Sequence, residues 1–160
     1  MSGSRVRGNR VARAAALALA TLAGALLIGA GAGAQNASPA GLWQTIDDES
    51  KQPKALVRIV DEGGVLSGTI EKLYNPSRPN PTCDQCGDDR KDQPIEGMKI
   101  LTGLKPAGDG AWEQGEILDP NNGKVYRAKA RLVAGGKQLE VRGFVGVALF
   151  GRTQTWVREQ

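Results

Sequence analysis

Cys83 and Cys86 lie three apart in Thr82-Cys83-Asp84-Gln85-Cys86-Gly87 and are the only cysteines of a 160-residue chain without histidine. Such a pair can act as a redox couple, as half of a metal site or as a small structural disulfide. Thiol oxidoreductases set the pair at a helix N-terminus, where the dipole lowers the first thiol's pKa. Here it runs into Gly87-Asp88-Asp89-Arg90 within a proline-broken stretch, and Asp84 opposes thiolate formation. Structural zinc takes four ligands, mostly Cys and His. Two thiols with only Asp84, Asp88 and Asp89 nearby make a poor set, so no metal is expected. A disulfide is the expectation. Its ring is small, so it removes little chain entropy and serves mainly to fix the local shape of its loop.

The absence of histidine also removes Ser-His-Asp and Cys-His arrangements. Paired carboxylates remain as a possible hydrolytic device. Asp47, Asp48, Asp88, Asp89 and Asp92 are available, but acids on loops are expected to be solvated or turn-forming. Asp119-Pro120-Asn121-Asn122-Gly123 lacks the spacing of an EF-hand loop and reads as a turn. No cofactor motif is found, and an enzyme, thiol-based or carboxylate-based, is the least favoured class.

The compartment decides the cysteine chemistry. Arg5, Arg7, Arg10 and Arg13 form a basic n-region, residues 14–33 an Ala/Leu/Gly-rich apolar run, and Ala32-Gly33-Ala34 the small-x-small signature of a signal peptidase site. Residues 1–34 are therefore expected to be a signal peptide, with Gln35 the new N-terminus and a periplasmic or secreted destination. Oxidising compartments favour disulfides. The signal carries four arginines and no acid, so the remainder holds 17 basic and 17 acidic residues. That zero net charge gives no support for nucleic-acid binding or for attraction to an anionic membrane. No later segment is long and apolar enough to anchor the chain. The remaining 126 residues suffice for one domain with one core.

The elements that must position these groups read as short strands. After a short disordered N-terminus over 35–40, period-two patterns bounded by turn residues recur from residue 41 onward. Strands are expected at 56–60, 65–73, 98–104, 111–118, 126–132, 139–144 and 152–158. Between 126 and 132 the alternation is clearest. Tyr126, Ala128, Ala130 and Leu132 share one face, and Arg127, Lys129 and Arg131 share the other, which reads as solvated. The fold class is all-β: about eight antiparallel strands joined in sequence by short turns, closing as an up-and-down barrel without edges over 41–160. Gly68, Gly115 and Gly143 suit bends or bulges. One long connection, 74–97, carries Pro76, Pro79, Pro81, Pro94 and both cysteines.

Several of these stretches resemble one family. They are Gly41-Leu42-Trp43 with Asp47-Asp48; the cysteine pair leading into Lys91-Asp92-x-Pro94-Ile95-x-Gly97-Met98; Ile117-Leu118-Asp119-Pro120-x-x-Gly123-x-x-Tyr126; Val141-Arg142-Gly143-Phe144-Val145-Gly146; and Phe150-Gly151-Arg152-Thr153-Gln154-Thr155-Trp156 with Arg158. The chain resembles the exported bacterial proteins grouped as domain of unknown function 2147. That resemblance implies a lipocalin-like barrel and no established activity. It also implies a closure pair, in which Trp43 packs across the barrel's closed end beneath Arg158 or Arg152. A cation over a tryptophan contributes about 0.5–2 kcal/mol.

The function expected is non-enzymatic binding of a small apolar or amphipathic ligand inside the barrel. Tyr126, Ala128, Ala130 and Leu132 are the candidate lining, although they suit a filled core equally well. The alternative is an envelope interaction protein acting through the 74–97 loop, with a protein partner of unknown identity.

Overall fold

The computed structural model describes residues 38–160; the expected signal peptide and residues 35–37 lie outside the described residues. Eight strands follow in order: β1 (Gly41–Ile46), β2 (Pro53–Glu62), β3 (Val65–Leu73), β4 (Lys99–Gly108), β5 (Ala111–Asp119), β6 (Lys124–Val133), β7 (Gln138–Phe144) and β8 (Arg152–Arg158). Each pairs antiparallel with the next, and β8 returns to β1 through Trp43↔Arg158 and Gln44↔Val157. The result is a closed eight-stranded up-and-down barrel. Closure gives every strand two neighbours, which removes the exposed edges that an open sheet would present.

The period-two pattern sets which side chains enter. In β6, Arg127, Lys129 and Arg131 stand opposite Phe144, Arg142 and Glu140 of β7, while Ala128 and Ala130 point inward and are buried. Glycine supplies the bends where strands coil: register shifts flank Gly68 in β3 and fall between Trp112 and Gly115 in β5. Gly143 differs. It sits in an unshifted ladder on both sides, facing inward.

Two boundaries depart from expectation. β4, expected to end at residue 104, continues through Pro106, opposite Trp112, to Gly108. Pairing with β3 has already stopped at Leu66↔Leu104, so Pro106 has only β5 beside it, the edge-like setting in which a residue without an N–H is tolerated. Residues 38–40, expected to be disordered, are pinned. Pro39 is fully buried, the Trp43 indole N–H donates to its carbonyl at 2.8 Å, and Arg158 donates to the carbonyls of Ala40 and Ser38.

The barrel is packed at one end. The chain enters and leaves there, and the β2–β3, β4–β5 and β6–β7 turns close it. Trp43, Ile59, Leu66, Leu104 and Leu139 are buried in this half, as part of a hydrophobic cluster that continues along the barrel to Val57, Ile70 and Ile100. The other four connections gather at the opposite end.

Candidate binding cavity

The half of the barrel beneath those connections is hollow. Alternate residues of the strands line a cavity of about 580 Å³ that opens at the loop end. Val57, Val141 and Trp156 lie at its inner limit, and Ala55, Ile70, Ile100 and Ile117 line its walls. Gly143 contributes space: a Cβ added there would lie 3.3 Å from the Ile117 methyl, so its bare backbone widens the wall. The size falls within the usual range for small-molecule pockets, roughly 300–1,000 Å³.

Polar groups climb one wall along β8. The Trp156 indole N–H donates to Gln154 Oε1 at 3.4 Å, and Gln154 Nε2 donates to Asp48 Oδ2 at 3.2 Å. Arg152 donates to the same carboxylate oxygen at the rim. On the neighbouring strand, Thr45 Oγ1 accepts the Ala55 N–H at 3.0 Å across a bulge. Asp47 begins the turn after β1 and accepts N–H bonds from Ser50 and Glu49 and the Ser50 hydroxyl, with Lys54 beside it. The Ser50 backbone bond is the foremost reason that its carboxyl falls to a pKa of about 2. Both rim cations, Lys54 and Arg152, are thus matched by an acid.

The 74–97 connection folds back on itself rather than projecting. Thr82 bridges to Pro94, the Cys83 N–H donates to Gln93 O at 2.9 Å, and the Ile95 N–H donates to Pro81 O at 3.0 Å. Cys83 and Cys86 form a disulfide with Cα atoms 5.4 Å apart, and both are buried. The loop docks against the β5–β6 turn. Cys83 Sγ lies 3.6 Å from Pro120 O, and a Cβ on Gly123 would overlap the carbonyl of Gln85. So fixed, the connection contributes Tyr74, Pro76, Pro81 and Ile95 to the cavity wall.

The acids singled out from the sequence do not converge. Asp88 is held by Arg90, whose side-chain bond takes its carboxyl to about 2, and Thr82 foremost lowers Asp84. Asp92 pairs with Lys91 in the same loop, Asp47 shapes a turn and Asp48 serves the β8 ladder. Among the described residues no group of three or more Asp, Glu, Cys or His could hold a metal ion.

The other expected site residues divide. Arg158 is the cation over Trp43, with its guanidinium carbon 4.2 Å from the ring centroid. Burial lowers its pKa from the usual arginine value, and it also donates to Gly136 O at 2.8 Å. Arg152 stands at the opposite end, paired with Asp48. Of the four expected lining residues, only Tyr126 is on the cavity wall. Ala128 and Ala130 are buried in the same packed cluster as Trp43, Leu104 and Leu139, and Leu132 packs against it. The Asp48–Gln154–Trp156 ladder is absent from the sequence reading, although Arg152, Gln154, Trp156 and Arg158 recur with period two, which is the available signal.

Comparison with known proteins agrees with this architecture. No curated protein sequence matches the chain. Among solved structures, protein HP1028 from the human pathogen Helicobacter pylori, which belongs to the lipocalin family, superposes with a TM-score of 0.67 at 18% identity. The match covers 77% of this chain and 84% of that one, and at this identity it speaks for the fold alone. The family model for an uncharacterized protein conserved in bacteria (DUF2147) matches residues 41–158, the whole barrel from its first strand to Arg158, and the chain belongs to that family.

Proposed function

We propose that this is an exported, non-enzymatic carrier that holds a small apolar or amphipathic molecule in the open half of the barrel. The observation that carries the reading is the cavity of about 580 Å³, with apolar walls from β2 to β5 and polar groups at its rim, along β8 and at Thr45 and Tyr126. An acyl or ring system would bury against Val57, Ile70 and Ile100. A polar end would meet Gln154, Tyr126 or the Asp48–Arg152 pair. Two features support export: the signal-like segment 1–34 and a buried disulfide, which oxidising compartments favour. On this reading the 74–97 loop acts as a wall of the site. Its acids sit in exposed ion pairs and turns, and its thiols are joined.

Titration with a dansyl-labelled undecanoic acid tests the reading. The probe's emission should shift to the blue on binding. Ala55→Trp and Gly143→Phe, which project into the cavity, should each weaken binding by about tenfold or more, equivalent to about 1.4 kcal/mol. Wild-type affinity in both filled variants, with folding intact by circular dichroism, would place the probe outside the barrel and end the proposal. Native mass spectrometry of protein taken from the periplasm would identify the natural occupant.

A further inference from the structure

The connection between β7 and β8 is apolar and exposed. Val145-Gly146-Val147-Ala148-Leu149-Phe150 leaves Val145 69%, Val147 60%, Leu149 80% and Phe150 80% accessible. Contiguous large apolar side chains on a soluble domain mark a surface that meets something. The loop is also held open. Arg142 donates to Ala148 O at 2.7 Å, to Leu149 O at 3.1 Å and to Thr153 Oγ1 at 2.7 Å, and the Phe150 N–H closes a turn on Val147 O. A guanidinium therefore fixes the backbone while the side chains face outward. Val145 and Phe150 also line the cavity mouth, so apolar surface runs without a break from the interior to the tip.

Charge points to what the tip meets. The barrel region is neutral in total, but its charges are segregated. Residues 120–160 carry eight Lys or Arg against two acids, Glu140 and Glu159, whereas residues 41–119 carry nine against fifteen. The apolar loop belongs to the basic part. On the outer face of β6 and β7 stand Arg127, Lys129 and Arg142, with Lys124 exposed at the rim where β6 begins, none in an ion pair among the described residues. The acids facing them from adjacent strands are Asp119, across from Lys124, and Glu116, across from Arg127, while Glu140 lies across from Arg131 further from the mouth. Arg152 is occupied by Asp48. Apolar side chains beside unpaired cations form the pattern of an interfacial membrane contact.

We infer that the mouth docks on an anionic lipid bilayer, with Leu149 and Phe150 entering the headgroup region and the β6–β7 cations facing lipid phosphates. This goes beyond the carrier proposal and stands whether or not the cavity is filled, since the loop is exposed in either case. If both hold, an amphiphile could pass between bilayer and cavity without crossing water.

Co-sedimentation of residues 35–160 with large vesicles is the test. That segment contains the entire closed barrel and its core, and it omits the apolar run of 14–33, which would itself partition. Binding is expected to vesicles of phosphatidylcholine with phosphatidylglycerol, to weaken with salt, and to be much weaker with phosphatidylcholine alone. Leu149→Asp with Phe150→Asp should lower the partition coefficient about a hundredfold, and Arg127→Glu with Lys129→Glu tenfold or more. In a Phe150→Trp variant, emission should shift to the blue when anionic vesicles are added. Three results would overturn the inference. They are unshifted emission from the Phe150→Trp variant, aspartate variants that bind like wild type, and ultracentrifugation showing a dimer that the aspartate variants dissolve while vesicles go unbound. The last would assign the patch to a second copy. Dansyl-probe binding is measured without vesicles, so failure of the carrier reading and failure of docking are separately visible.

Discussion

At one end of the barrel the interior is filled by Trp43 and buried leucine and isoleucine side chains; at the other the same eight strands enclose space. The closed end buries Trp43, Ile59, Leu66, Leu104 and Leu139, and Arg158 lies across Trp43 while binding three backbone carbonyls. The open end presents Ala55, Val57, Gly143 and Thr45 at equivalent inward positions, and its connections are shaped by hydrogen-bonded carboxylates and a disulfide. The difference divides labour within one sheet. Apolar burial at the closed end supplies stability, which leaves the open end free to keep a cavity. An interior packed to native density throughout would have no room for a ligand.

Deleting the anchor of each half measures this division. Trp43→Ala should cost about 3–5 kcal/mol, the range for removing a large buried aromatic, and should also release residues 38–40. Ile70→Ala, on the wall of the existing cavity, should cost about 2 kcal/mol, the low end for such a truncation, because few neighbours lose contact. Urea unfolding of both variants gives the comparison. Equal costs would mean that the open half is as tightly packed as the closed one.

Removing the disulfide acts on the open end alone. Cys83→Ala with Cys86→Ala should lower stability by about 2 kcal/mol, the chain-entropy value for a ring this small. Amide exchange should quicken in 74–97 and in the β5–β6 turn, where Gly123 abuts Gln85, and stay unchanged at the β1–β8 seam. Equal loosening at the seam would show the two ends to be one cooperative unit.

The alternation of small inward residues with charged outward ones in β6, and the Asn122-Gly123 and Asp109-Gly110 turns, make the barrel legible because period and turn chemistry are local properties. The anchoring of Pro39 is not legible. It depends on a tryptophan four residues later and an arginine at the far end of the chain. Nor can spacing alone separate core from cavity in β6. Ala128 and Tyr126 obey the same alternation, and only the height of each residue along the barrel decides which faces Trp43's cluster and which faces space. The neutral total charge conceals its segregation for a similar reason: a sum over the chain carries no position. The cysteine pair reads from sequence as the fastening of a loop. Its burial against Pro120 rests on a contact 37 residues distant, which no local pattern encodes.

The weakest of the expected effects concerns acid. The carboxylates held below their usual range, Asp47, Asp84 and Asp88, all lie in connections at the open end. Asp47 has an ordinary value of 3.8 and a folded value of about 2, so the unfolded chain takes up its proton first as pH falls. Its contribution to stability is therefore complete above 3.8 and is lost as pH drops through about 2. Arg158, the titratable group over Trp43 at the closed end, stays protonated throughout this window, because even a lowered guanidinium remains far above it. Acid should accordingly loosen the mouth before the base. Asp47→Asn should flatten the dependence of the urea midpoint on pH between 3.8 and about 2, and leave the midpoint's pH dependence above that window unchanged. A variant that keeps the wild-type slope would show that the turn after β1 does not contribute to the acid response, and that the asymmetry between the two ends lies in packing alone.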